Sequence, residues 1–194
     1  MTAEQIRRSA LKQFARLGYH GASLSQIAAE VGIRKQSIAT YYSSKESLYL
    51  AVCKDAFQEY LAFMEQVQQH ADLKKSEDKL LWVLKQNIQY RLEHADFTAF
   101  LNHLIHFPPD FLRAHIISKI QWMEEQSAVI YRELFLEGMA NGEISMHPVE
   151  ELLAAYYCII DGMSVQMKLY EREQLDRKLA SIWGIFWKGL KTSR

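Results

Sequence analysis

Apolar residues recur three and four apart along most of this chain, in stretches too long for strands and interrupted by proline only at Pro108, Pro109 and Pro148. Residues 2–17 set Ile6, Ala10, Leu11, Phe14 and Leu17 at helical spacing, with Arg7, Arg8, Lys12 and Arg16 around them. Gly18 ends that helix. Ser23 and Gln26 have the spacing of a capping box, which predicts a short helix over 24–31. Gly32 then supplies a tight turn, Ile33 pins it, and a second short helix is expected over 35–42. Two short helices joined by a glycine-containing turn are the pattern of a helix-turn-helix.

Ser43 and Glu46 are spaced as another capping box, opening a long helix over 45–70 with Leu48, Val52, Phe57, Leu61, Met64 and Val67 inward. Ser76 with Glu77 and Asp78 starts a helix reaching about residue 94, and Asp96 caps another that stops before the paired prolines. Residues 110–140 read as helical, bent or broken midway, with Asn141 and Gly142 as the stop. Helices over 149–170 and 174–191 close an all-α chain of about nine helices.

The helix over 35–42 is poorly composed for filling a core. Ile38 and Tyr42 can face inward, which leaves Lys35, Gln36, Ser37, Ala39, Thr40 and Tyr41 outward. Glutamine pairs with adenine, lysine reaches guanine or phosphate, and small methyl-bearing groups meet thymine. Ser23, Ser25, Gln26, Arg34 and Lys45 flank this helix with groups suited to phosphate.

The formal net charge of zero conceals an asymmetry, because residues 1–50 carry +4 and the remainder −4. A basic head on an acidic body suits a polyanionic partner at one end. With 49% hydrophobic and 24% charged residues the composition is that of an ordinary globular protein. No apolar run approaches the ~18 residues of a membrane span. The first residues have no secretory pattern, and Cys53 and Cys158 are isolated, so a reduced cytoplasmic protein is expected.

Residues 6–50 resemble the DNA-binding domain of the TetR family of bacterial transcriptional regulators. The resemblance runs through FARLGYHGASLSQIAAEVGIRKQSIATYYSSKESLY, where Phe14, Gly18, Tyr19, Ser23, Ile27, Ala28, Gly32, Ile38, Tyr41, Lys45, Glu46 and Leu48 fall on the family pattern. Arg34 departs from it, standing where a serine N-cap is usual, and Gln36, Ala39 and Tyr42 replace a common glycine, tyrosine and phenylalanine. Arginine cannot accept from helix N-H groups, so its cation is left for phosphate.

The resemblance implies a helix-turn-helix domain over 1–47 and an effector-binding, dimerising domain over 48–194. It also implies a ligand-responsive repressor, released from a palindromic operator by a small apolar effector, with no cofactor, metal or catalytic residue. The middle helices offer Trp82, Tyr90, Phe97, Phe100, His103, Phe107, Phe111, Trp122, Met123, Tyr131, Asp161, Met163 and Met167 as pocket candidates. Asp161 reads equally as a pocket hydrogen-bond partner or a salt-bridge member. Leu152, Leu153, Tyr156, Ile159, Ile160, Gly162 and Met163, with Ile182, Ile185, Phe186, Trp187 and Leu190, supply the surface for a homodimer. Gly162 inside a helix costs ~1 kcal/mol against alanine, which a closely approaching second backbone would explain.

Two rival functions follow from other features. His103 and His106 lie three apart on one face and raise a metal enzyme, although the pair lacks further ligands. A DNA binder without an effector is the second, and would have tightly filled middle helices.

Overall fold

A computed structural model of the protein describes residues 3–69 and 73–191. His70, the expected end of the long helix, and Thr2, the expected start of the first, lie outside the described residues. Among the described residues the named elements are all helical, joined by turns and loops, and an isolated antiparallel bridge pairs Ile144 with Lys191. No described helix is long and apolar enough to cross a membrane.

The helices are α1 (Ala3–Gly21), α2 (Leu24–Val31), α3 (Lys35–Ile38), α4 (Lys45–Gln69), α5 (Ser76–Glu93), α6 (Ala95–His106), α7 (Arg113–Ala140), α8 (Val149–Gln166) and α9 (Arg172–Leu190). A 3-10 turn, Asp110–Leu112, leads into α7, which then runs for 28 residues without the midway break expected from sequence. Backbone contacts group the chain into two compact units, Met1–Leu61 with His94–Met123, and Ala62–Glu93 with Glu124–Arg194. Helix α6 lies along α1 and belongs to the first unit.

In the first unit Ile6, Ala10, Phe14, Ile27, Ala28, Ile38 and Leu48 are almost fully buried and hold α1 to α4 together. Phe14, Tyr49 and Phe100 extend this core to α6, with the Phe14 and Tyr49 rings edge to face at 4.8 Å. Gly18 interrupts α1 with φ 66°, and a β-carbon there would stand 3.2 Å from His103 Nδ1. Conformation demands glycine at this point, and an added β-carbon would press on the His103 ring.

In the second unit the core is built on Leu80, Val83, Leu84, Tyr131, Phe135 and Tyr156. The Tyr156 hydroxyl donates to the Leu80 carbonyl at 2.7 Å, so the buried phenol is satisfied. Asn87, fully buried, donates to Tyr131 at 3.3 Å and accepts from Arg91 Nε at 2.9 Å.

Several helix starts differ in their chemistry from the sequence reading. Ser44, not Ser43, caps α4, exchanging reciprocal bonds with Ser47 at 3.0 and 3.1 Å in place of Glu46. Ser76 is the first residue of α5 and its hydroxyl caps nothing; its N-H instead donates to the Glu143 carboxylate at 3.0 Å. Position 94 supplies the N-cap of α6, and Asp96 sits in its first turn. A capping box of Glu171 and Gln174, absent from the sequence reading, starts α9 two residues earlier than expected.

Candidate nucleic-acid interface

Helix α2 opens at Ser23, whose hydroxyl accepts from the Gln26 N-H at 3.2 Å and donates to the Gln26 side chain at 2.7 Å. The return contact goes to the hydroxyl rather than to the backbone that a capping box would use. Gly32 closes α2 in the left-handed region, φ 77° and ψ 31°, while Ile33 N-H reaches the Ala28 carbonyl and Gly32 N-H the Ala29 carbonyl. This pairing is a Schellman closure, and it sets the angle at which the chain leaves for α3. Nothing lies within 4 Å of a β-carbon at Gly32, so conformation alone demands glycine.

Helix α3 is shorter than the sequence predicts. It covers Lys35–Ile38, after which Ala39 N-H bonds to Gln36 and Tyr41 N-H to Ile38, so the expected span to 42 finishes as tight turns. Ile38 is fully buried beneath it. Arg34 occupies the N-cap without a side-chain cap bond, as its chemistry requires.

Ser25, Gln26, Arg34, Lys35, Gln36, Ser37, Thr40 and Tyr41 are all exposed, and Ser23 and Lys45 are half-buried. The predicted set therefore shares one head, made by α2, α3 and the start of α4. Arg34 and Lys35 have no ion-pair partner among the described residues, so their charge is available. Lys45 is held differently, with its ammonium 4.4 Å from the centre of the Tyr19 ring. Burial lowers the Lys45 pKa, and burial followed by the charge of Glu46 raises that of Tyr19.

A positioning group that sequence reasoning passes over holds the far end of α3. Arg7 Nη1 donates to the Tyr42 hydroxyl at 2.8 Å, and Arg7 Nε is paired with Asp55 of α4. The Tyr42 bond, with further help from Asp55, raises the Arg7 pKa against the effect of burial. By sequence Arg7 reads as one surface cation among several, and Asp55 as one surface acid. Neither spacing nor period relates positions 7, 42 and 55.

The pocket candidates are placed by simpler packing. In the first unit Phe100 is core, His103 is half-buried against Gly18, and Phe107 and Trp122 are exposed. In the second unit Tyr90 stacks on Phe63 at 4.3 Å and Tyr131 lies against Tyr156 at 4.8 Å, Trp82 and Asp161 are exposed, and Met167 is half-buried. Of these aromatic residues Tyr90, Phe100 and Tyr131 are core, whereas Trp82, Phe107 and Trp122 lie at the surface. No three of the described His, Cys, Asp and Glu residues converge as a metal site, and His103 serves as the packing partner of Gly18.

The dimer candidates divide in the same way. Leu152, Tyr156 and Met163 are at most 4% exposed and belong to the protomer core. Ile159, Gly162, Ile182 and Phe186 remain at least partly exposed, and Ile185 is 77% exposed. A groove of about 700 Å³ between α8 and α9 runs past Cys158, Ile159, Gly162, Gln166 and Ile182.

Residues 6–52 match the family model described as bacterial regulatory proteins, tetR family. In sequence the TetR-family match is confined to this segment. Over 57 residues it is 40% identical to the HTH-type transcriptional regulator RutR of Escherichia coli K12, a match covering 29% of this chain and 27% of RutR. Over 95 residues it is 34% identical to the uncharacterized HTH-type transcriptional regulator YuxN of Bacillus subtilis, covering 48% of this chain and 32% of YuxN. These matches thus span no more than about a third of either relative's length. The TetR-like fold extends further than these alignments. The structure of the transcriptional regulator FadR from Bacillus subtilis in complex with stearoyl-CoA superposes with a TM-score of 0.78 at 19% identity, covering 97% of this chain and all of FadR. PfmR of Thermus thermophilus gives a TM-score of 0.71 at 19% identity, over 100% of this chain and 99% of PfmR.

Proposed function

We propose that this protein is a homodimeric DNA-binding repressor of the TetR family whose operator affinity is set by a small, largely apolar effector. The carrying observation is the composition of the exposed face of α3. Its one large aliphatic side chain, Ile38, is fully buried, while Lys35, Gln36, Ser37 and Thr40 all face outward beside Arg34. Such a face offers donors and acceptors to base edges, with cations at its margin for phosphate. Gln36 is assigned to a base; Arg34, Lys35 and Lys45 are assigned to phosphate. Work on chromosomal DNA would place the protein in the cytoplasm.

Dimerisation is assigned to the outer surfaces of α8 and α9. A β-carbon at Gly162 would meet nothing within 4 Å in its own protomer, so a second backbone is a sufficient reason for glycine there. Ile182 and Ile185 continue the apolar surface. A two-fold pair would present its recognition helices ~34 to 36 Å apart, one turn of duplex.

Effector control would act through α4. This helix follows the α3 segment in the chain and carries Asp55, which is tied through Arg7 to Tyr42, so a tilt of α4 would displace the C-terminal end of the α3 segment. Binding of effector and of operator would then oppose each other by one coupling free energy, commonly ~1 to 3 kcal/mol. The stearoyl-CoA in the FadR structure supports a largely apolar effector class.

The reading is tested by titrating purified protein against a pool of genomic duplex fragments and repeating with Lys35→Glu. Salt-sensitive retention of discrete fragments, weakened by the variant, is the expected result. Equal retention of all fragments by both proteins would refute sequence-specific binding through α3.

A further inference from the structure

Helices α5 and α9 are tied near both ends and stand open between. Arg172 donates to the Gln89 side chain at one end, and Lys191 lies 3.9 Å from Glu77 at the other, which sets the helices antiparallel. Between the ties the backbones do not close on each other, leaving a groove of about 660 Å³ within the second unit. That is the size of a small-molecule site.

Small side chains explain the opening. Ala180 and Gly184 of α9 face it, and a β-carbon at Gly184 would meet nothing within 4 Å. Glycine inside a helix is unfavourable relative to alanine, and no close approach within the protomer requires it here. The lining is apolar along Leu81, Ile88, Leu179 and Trp183. Trp183 is 5% exposed, stacks on Trp187 at 5.8 Å, and its indole N-H is buried without an acceptor among the described residues.

The groove is polarised along its length. Lys85 and Arg172 lie towards the Gln89 end, while Trp183 and Gly184 lie towards the Glu77 end. Lys85 is exposed and has no ion-pair partner among the described residues. Arg172 is shared with Asp176 at 3.2 Å in an exposed pair, a weak competitor for an incoming anion. The lining therefore carries a net charge of +1 at one end and an apolar trough at the other.

We propose that the α5–α9 groove binds an amphipathic carboxylate of medium chain length. Its head meets Lys85 and Arg172, and its chain lies on Leu81, Leu179 and Trp183 towards Gly184. The inference rests on the ligand-responsive reading for its biological meaning, whereas its binding test uses no DNA.

Dodecanoate is titrated into the full chain and followed by calorimetry and tryptophan emission, with dodecyltrimethylammonium as the cationic control. Saturable binding of dodecanoate alone is expected, weakened about tenfold or more by Lys85→Glu, which exchanges an attractive charge for a repulsive one. Gly184→Leu should abolish binding by filling the trough while leaving the unfolding temperature unchanged or higher, since leucine is the better helix former. Ala180→Leu fills the same trough and replaces it should Gly184→Leu fail to fold. Undiminished binding in the charge and filling variants would overturn the proposal, as would equal binding of both amphiphiles or no saturable binding. Operator retention measured without dodecanoate separates the two ideas: retained duplex with no dodecanoate binding sinks the groove alone, and bound dodecanoate with no duplex retention sinks the regulator reading alone.

Discussion

Arg7 Nη1 donates to the Tyr42 hydroxyl at 2.8 Å, and through this bond α1 holds the exit of the candidate recognition helix. Tyr42→Phe keeps the ring and removes the acceptor. The variant is expected to lose ~0.5 to 1.5 kcal/mol of stability, the ordinary worth of such a bond, and to weaken duplex binding although no DNA contact is assigned to Tyr42. Denaturant unfolding and duplex titration measure the two effects. A variant as stable and as tightly bound as the parent would show that Arg7 does not position α3.

The two left-handed glycines of the first unit should respond unequally to alanine. At Gly32 only conformation is at stake, and Gly32→Ala should cost ~1 to 2 kcal/mol. At Gly18 the added methyl also meets His103 at 3.2 Å, so Gly18→Ala should cost more. Adding His103→Ala should relieve the steric part and leave the conformational part. Equal costs for the two single variants, by denaturant unfolding, would contradict the packing described for α6 against α1.

The two cysteines should differ in reactivity and in pH response. Burial pushes the Cys53 thiol up to about 12 from its ordinary 9.0, while Cys158 is exposed on the outer face of α8. Between those two pH values the unfolded chain has released the Cys53 proton and the folded chain has kept it. Stability contributed by this group is therefore intact below pH 9 and falls as pH rises towards 12. Cys53→Ala should flatten that alkaline decline in unfolding measurements. At neutral pH a thiol reagent should modify Cys158 and spare Cys53, with Cys158 protected as the protein concentration drives dimer formation.

Ile185 tests the dimer face without disturbing the protomer. Because it is 77% exposed, Ile185→Asp should leave helicity unchanged and shift the protein to monomer in sedimentation equilibrium. Tyr156→Ala should instead unfold the second unit, since Tyr156 is fully buried and bonded to Leu80. A dimer undiminished by Ile185→Asp would move the interface elsewhere.

Helix periodicity made the all-α fold legible, and the spacing of Ser23, Gly32, Ile38 and Lys45 made the head legible, because those signals are local. Caps were less so. Ser43 and Ser44 compete for one role, and only the backbone path selects Ser44 with Ser47. Long-range pairings left no local trace, so Arg7 with Tyr42 and Asp55, and Gly18 with His103, emerge only from the packed structure. The pocket candidates show the opposite limit. Aromatic content identifies Tyr90, Phe100 and Tyr131 as important, yet periodicity treats a core position and a ligand wall alike.

Whether α3 reads duplex sequence is decided by selecting binding sites from a random duplex library. The expected outcome is an inverted repeat with half-sites about one helical turn apart, bound with an affinity that falls steeply with salt. Lys35→Ala should reduce the salt slope by about one, and Gln36→Ala should relax the preference at a single base pair per half-site. Recovery of no common sequence, or of a sequence bound identically by the parent and both variants, would show that the polar face of α3 is not a reader of DNA.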